Sequence, residues 1–279
     1  MSIYARVSCA AAVMCSVLIG FGGSSVRSAV AADTAGTAEE RIARVRADLK
    51  SADQAVRKAA IGSLVHSDIS SKMLAEMRTA LDDRDGDVRS VAATATGNLG
   101  AAALPAVPQL VKQLQSDPVK ESRETAARAL ARIGKAAQDE SGLTGPLTEA
   151  TRKDADPVTR VVAHGALAML GVELAEQIVS LRKYLHHDEA LVRMKAAHAL
   201  GMLGTPAKAA APEIVDVLKR ETDSHRRGYV ARALGNTGDP ASLPALLAAL
   251  EKETDAGAKG EMQGAINRLK APVTETKKQ

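Results

Sequence analysis

The sequence predicts an all-α chain wound into a right-handed α-solenoid, an alpha-alpha superhelix of about seven helical hairpins. Three observations predict it. One pattern recurs seven times, indexed by Arg57, Arg89, Arg123, Arg160, Arg193, Arg227 and Lys259 at gaps of 32, 34, 37, 33, 34 and 32 residues. Within each copy the alanines and leucines fall three, six, seven and ten residues after the index position, as in Ala196, Ala199, Leu200 and Leu203, which makes one apolar stripe on a helix. Large aromatics are nearly missing: there is no Trp, and beyond the first 32 residues Tyr184 and Tyr229 are the only aromatics of the Phe, Trp and Tyr set. A globular enzyme of this size fills its core and lines its pocket with such residues. Helices packed through alanine and leucine do not need them.

In chain order, residues 1–32 read as an address. Arg6 is followed by an apolar run from Val7 to Phe21 and then by small residues ending in Ala29-Val30-Ala31-Ala32. This is the layout of a cleavable signal peptide, with cleavage near Ala31 or Ala32, and it predicts a secreted or periplasmic protein. The run is shorter than the roughly 20 residues of an anchor and is broken by glycine. Cys9 and Cys15 lack the leucine-plus-small-residue setting of a lipidated cysteine, and both leave with the signal, so the mature chain is expected to carry no disulfide or thiolate site. Removing Arg6 and Arg27 changes the balance of 37 basic and 33 acidic residues to 35 and 33, a net charge of about +2. That field is too weak to predict a nucleic-acid partner.

The repeat region is expected over 33–270. Four residues before the index position stand Asp53, Asp85, Asp156, Glu189, Asp223 and Asp255; in the third copy Asp117 comes two residues too early. An acid there accepts hydrogen bonds from the free amides of a first helical turn and favours the positive end of the helix dipole. Eleven residues after the index stand Gly100, Gly134, Gly171, Gly204 and Gly238, each expected to supply a left-handed C-terminal cap. A second, more varied helix precedes each of these, with expected spans of Glu39 to Leu49, Ser71 to Leu81, Pro105 to Leu114, Pro146 to Thr151, Leu174 to Leu185, Pro212 to Arg220 and Leu243 to Leu250. Several begin with proline, which suits a first turn. Each hairpin leaves its stripe uncovered until a neighbour stacks on it. At helix spacings of about 8 to 10 Å, seven hairpins make a curved rod on the order of 60 to 70 Å long. The polar, lysine-ended tail 271–279 is expected to be disordered.

The run Asp85-Gly86-Asp87-Val88-Arg89, and Val192-Arg193 followed by Ala196-Ala197-His198-Ala199-Leu200-Gly201, is similar to the HEAT repeat, and specifically to the short HEAT-like repeat of phycobilisome (PBS) lyases. The resemblance spans Glu39 to about Lys270 and implies an ARM-type solenoid. It also implies that the column Arg57, Arg89, Arg123, Arg160, Arg193 and Arg227 pairs with the acids Asp53, Asp85, Asp156, Glu189 and Asp223 of neighbouring units in a structural ladder. Two enzyme precedents come with it. Deoxyhypusine hydroxylase builds a di-iron site from His-Glu pairs, but no His-Glu dipeptide occurs here. Bilin handling by the lyases implies an aromatic-rich groove, which two tyrosines do not make.

His186-His187-Asp188-Glu189 is the densest set of potential metal ligands, but adjacent turn residues do not converge on one ion, and capping by Asp188 or Glu189 explains the acids. With no mature cysteine and no G-x-S-x-G, no catalytic residue, metal ligand or cofactor is assigned. What remains is surface. On the second helix of each unit, offsets one, five and eight from the index lie opposite the stripe, with two and nine flanking. That face carries Arg128, Arg132, Lys195, His198, Tyr229, Arg232, Asn236 and Arg268. Because solenoids bind along extended concave surfaces, these residues are the expected contacts of a protein or peptide partner. The expected function is an exported, non-enzymatic scaffold, the alternative being a bilin-lyase-like or metal-dependent enzyme or enzyme subunit.

Overall fold

The computed structural model describes residues 36–270. The expected signal segment, with both cysteines, and the expected disordered tail lie outside the described residues. Every regular element among the described residues is helical, and the helices alternate as the spacing predicts. The first helices of the seven hairpins are α1 (Ala38–Asp48), α3 (Leu74–Ala80), α5 (Val107–Ser116), α7 (Thr144–Lys153), α9 (Leu174–Tyr184), α11 (Ala211–Arg220) and α13 (Leu243–Lys252). The second helices are α2 (Gln54–Ser63), α4 (Gly86–Asn98), α6 (Lys120–Ala137), α8 (Pro157–Met169), α10 (Ala190–Leu203), α12 (Ser224–Asn236) and α14 (Ala256–Lys270). Together they form an α-solenoid. Among the described residues no helix is long and apolar enough to cross a membrane.

The caps explain where the helices start and stop. Thr37 and Glu40 form a reciprocal capping box at α1. Asp53, Asp85, Asp156 and Asp223 each accept backbone amides of the first turn of α2, α4, α8 and α12. Glu189, at the same place on α10, makes no such bond, and the third copy presents Val119 there. Gly100, Gly171, Gly204 and Gly238 take positive φ between 56° and 81° beyond their helices. Gly134 departs from this expectation. Helix α6 runs on through it, on Lys135, Ala136 and Ala137, and turns left-handed only at Gln138 (φ 53°). Alanine and lysine are strong helix formers, so the extra turn continues, and it fills the 37-residue gap in the repeat.

The stripe residues are the core. Leu64, Thr96, Leu130, Leu167, Leu200, Leu234 and Ile266, one per unit, are at most 1 % exposed. The core runs through the stack in two overlapping clusters that share α8: Ala163, Ala166 and Leu167 pack toward the first four units, Val158 and Val161 toward the last four. One correction concerns offset eight, expected opposite the stripe. Gly97, Ala131, Ala168, Gly201 and Gly235 stand there and are all buried. A Cβ on Gly97 would lie 2.7 Å from the Ala129 Cα, and one on Gly201 2.6 Å from the Ala233 Cα. The glycine at offset eight of one unit therefore packs against the alanine at offset six of the next, and second helices touch backbone to backbone.

Candidate functional site on the inner face of the second helices

The arginine column sits at the edge where hairpins meet, and its geometry is a ladder with a different acidic side rail. Arg57 donates two hydrogen bonds to Asp83 (2.8 and 2.9 Å), Arg89 two to Asp117 (2.6 and 2.8 Å), Arg123 two to Asp154 (2.7 and 2.9 Å) and Arg227 two to Glu253 (2.7 and 3.0 Å). These partners lie six residues before the next index position, not four. The residue at minus six also accepts the amide of the residue at minus four: Asp85 donates to Asp83, Val119 to Asp117, Asp156 to Asp154 and Asp255 to Glu253. Each rail acid thus fastens the turn of its own hairpin and the arginine of the previous one, while the acids at minus four cap helices. Such planar, forked pairs are the strong form of charge-assisted hydrogen bond. The Arg227 bonds hold the Glu253 carboxyl down at about 2. Burial opposes the same effect at Asp83, yet the Arg57 bonds keep it below the ordinary carboxylate range.

The ladder is interrupted in units four and five. His187 stands where the rail acid for Arg160 would be, and Arg160 donates instead to the Tyr184 hydroxyl at 3.2 Å. Glu221, the acid in register with Arg193, pairs with Arg226 at 3.1 Å.

Second helices carry the inner face, and one contact shows that this face is concave. The Lys195 Nζ of unit five lies 3.7 Å from the Glu124 Oε2 of unit three, across unit four. Two flat repeats would separate their helices by about 16 to 20 Å, so the rod bends toward this side. Between them α8 carries Gly165, where a Cβ would lie 3.1 Å from the Ala199 Cβ, so α8 and α10 approach closely there.

Arg128 also reaches Glu124, at 3.5 Å. On the other side of Lys195 and His198, Arg232 stacks on the Tyr229 ring (4.5 Å to its centre) and donates to Glu261 at 3.3 Å. His225 meets the edge of the same Tyr229 ring at 4.8 Å. The structure therefore brings Arg128, Lys195, His198, Tyr229 and Arg232 together. Arg132 stands at the rim, donating to Asn98 at 2.9 Å. Asn236 and Arg268 belong to the same helix faces but are not drawn into this cluster; Arg268 is exposed near the end of α14.

The electrostatics follow from crowding cations in a partly desolvated groove. Burial, together with Arg232, Lys195 and Arg128, lowers His198 to about 4, so its ring is neutral at pH 7. Burial also lowers Lys195, with Glu124 opposing, and burial and Arg128 lower Arg132. In each case the groove resists further positive charge. An anionic group entering it relieves that repulsion. Glu124 and Glu261, which part-neutralise the cations, are not among the expected contacts although they sit at offsets one and two; Arg128 lies one turn from Glu124 on α6, and it is the curvature that brings Lys195 to it.

His187, in the run His186-His187-Asp188-Glu189, accepts the Glu189 amide at 3.1 Å, the turn-fastening role of the rail position. Among the described residues no group of three or more His, Cys, Asp and Glu is placed to hold a metal ion.

A family model of HEAT repeats matches residues 42–131 and 144–228. The 132–143 gap in that match is the region where α6 overruns its glycine. The PBS lyase HEAT-like repeat matches 226–252. No curated protein matches the chain significantly. Among solved structures, the complex of CpcE and CpcF of phycocyanin lyase from Nostoc sp. PCC7120 is similar at a TM-score of 0.52 and 23% identity, covering 84% of this chain and 95% of that one. Human deoxyhypusine hydroxylase matches at 0.38 and 23% identity (83% and 96% covered), and importin beta at 0.43 and 16% (82% and 36% covered).

Proposed function

The chain belongs to the HEAT repeat proteins, and on that premise we propose that it is an exported, non-enzymatic scaffold that binds a protein or peptide partner along its concave face. The observation that supports this most is the convergence of Arg128, Lys195 and Arg232 from units three, five and six around the neutral His198, part-balanced by Glu124 and Glu261. Three cations held on separate rigid helices present fixed charge to an acidic segment without reorganisation, and Tyr229 adds an apolar plate beside them. Export, to the periplasm or out of the cell, rests on the expected signal peptide at 1–32. The partner is a polypeptide rather than nucleic acid, in keeping with the small net charge of the mature chain.

Arg128→Glu combined with Arg232→Glu is expected to weaken partner binding at least tenfold, with the helical circular dichroism and thermal midpoint little changed, since both guanidinium groups lie toward the groove. Undiminished binding would show that the groove is not the binding surface. The second reading is a bilin-lyase-like role, favoured by the likeness to a phycocyanin lyase complex and by the PBS-type repeat. It requires a tetrapyrrole in the groove, so an absorption band of bound bilin in the protein titrated with the pigment would favour it over the scaffold.

A further inference from the structure

The interrupted ladder is independent of the concave groove and carries a site of its own. In the four complete rungs an acid of the next hairpin accepts from both Nε and Nη2 of the arginine. At Arg160 the fork is held in the same pose, its Nη1 donating to the carbonyls of Asp154 and Ala155 at 2.6 and 3.2 Å. Two side chains at this rung, Tyr184 and His187, each keep a hydrogen to donate. Tyr184 Oη accepts from Arg160 Nε, which leaves its own hydrogen free to donate. His187 Nδ1 accepts the Glu189 amide, which puts the proton of the neutral ring on Nε2. The rings of Tyr184 and His187 lie 6.4 Å apart. Neither Asp188 nor Glu189 pairs with Arg160, and both acids are exposed. One unit on, Arg193 repeats the situation: it donates to the His187 and Asp188 carbonyls at 2.7 and 2.6 Å, while its Nε is buried and bonds to nothing among the described residues.

We propose that Arg160, Tyr184 and His187 form an oxyanion site, in which a carboxylate or phosphate group of a ligand accepts from Arg160 Nη2 and from the Tyr184 hydroxyl, at the place where the complete rungs hold a rail acid. With Nε held by Tyr184 and Nη1 by the two carbonyls, Nη2 is the guanidinium nitrogen left to such a group, and the Tyr184 hydroxyl is the donor beside it. The site lies on the ladder edge, so it engages a ligand separately from the groove.

The test uses the full mature chain with two probes, inorganic phosphate and a short oligo-glutamate peptide, followed by calorimetry and by the nuclear magnetic resonance signals of Tyr184 and His187. Saturable binding that moves those signals is expected for at least one probe. Phosphate alone binding points to a phosphate ligand, and the peptide alone to an acidic side chain of a partner. His187→Asp supplies the missing rail acid within the chain. It is expected to raise the thermal midpoint and weaken binding at least tenfold. If that variant fails to fold, Arg160→Gln, which removes the fork, is expected to show the same loss. Arg128→Glu with Arg232→Glu, which removes the groove's own anion contacts, is expected to leave the phosphate-induced shifts of the Tyr184 and His187 signals as in the wild type, which separates this site from the groove. Absence of binding by both probes, or equal binding by His187→Asp and wild type, would overturn the proposal.

Discussion

Gly201→Val is expected to destabilise the chain by more than about 4 kcal/mol, enough to unfold its C-terminal units at room temperature. The reason is what a side chain would meet. A Cβ at Gly201 lies 2.6 Å from the Ala233 Cα, 2.8 Å from its Cβ and 2.9 Å from its carbonyl oxygen. Two of these are backbone atoms of a helix packed on both sides, so they cannot rotate away. The valine therefore has to push α10 and α12 apart, and the gap runs the length of both helices, opening contacts around the fully buried Leu200 and Leu234. Stability in a stacked array depends on intrinsic repeat stability and nearest-neighbour interfaces, so losing one interface detaches everything beyond it. The contrast is Gly260, also within a helix, where a Cβ would meet nothing within 4 Å. There Gly260→Ala is expected to stabilise by about 0.5 to 1 kcal/mol through helix propensity alone. Urea unfolding of both variants checks the pair, and a Gly201→Val chain as stable as wild type would show that the backbones are not in contact.

Glu253→Gln is the second large effect, expected to cost about 3 kcal/mol at neutral pH, because it leaves the Arg227 guanidinium facing a neutral group in a largely buried pair. Its signature is the pH dependence. The Glu253 carboxyl is lowered from 4.5 to about 2 by Arg227 and by the amides of Thr254 and Asp255. A depressed acid contributes stability that is fully present above its unfolded pKa and is lost as pH falls through its folded one. The wild type therefore loses this contribution between about pH 4.5 and 2, starting with the docking of unit seven onto unit six. The glutamine variant is weaker at pH 7 but should decline less steeply over that window. Urea midpoints of both chains at pH 7 and pH 3 measure the difference. An identical decline would mean that Glu253 does not carry the acid sensitivity.

The fold is legible in the sequence because a solenoid writes the same physical demand many times. Leu200 and its counterparts show the stripe, and Gly171, Gly204 and Gly238 show where each helix must stop. The rail acids also stand at a constant place, six residues before the index, as Asp83, Asp117, Asp154, Glu221 and Glu253, with Ser51 and His187 completing the column. They are masked because the acids four before each index explain themselves as helix caps, so Asp117 looks misplaced rather than diagnostic. Offset eight misleads for a related reason. Periodicity alone sets Gly201 opposite Leu200's stripe, whereas neighbours on two sides bury a helix over more than one face. The pairing of Glu124 with Lys195 is beyond any local pattern, because curvature is the sum of small rotations at each interface.

Whether the partner binds the concave face or the outer face can be read directly by crosslinking in cells that make the protein. One photoreactive residue is placed at Met202, exposed at offset nine on the inner side of α10, and another at Val179, exposed on the first helix α9. Binding along the concave face gives one defined crosslinked partner from position 202, lost when Arg128→Glu and Arg232→Glu are added, and none from position 179. Crosslinking from position 179 with none from 202 would contradict it.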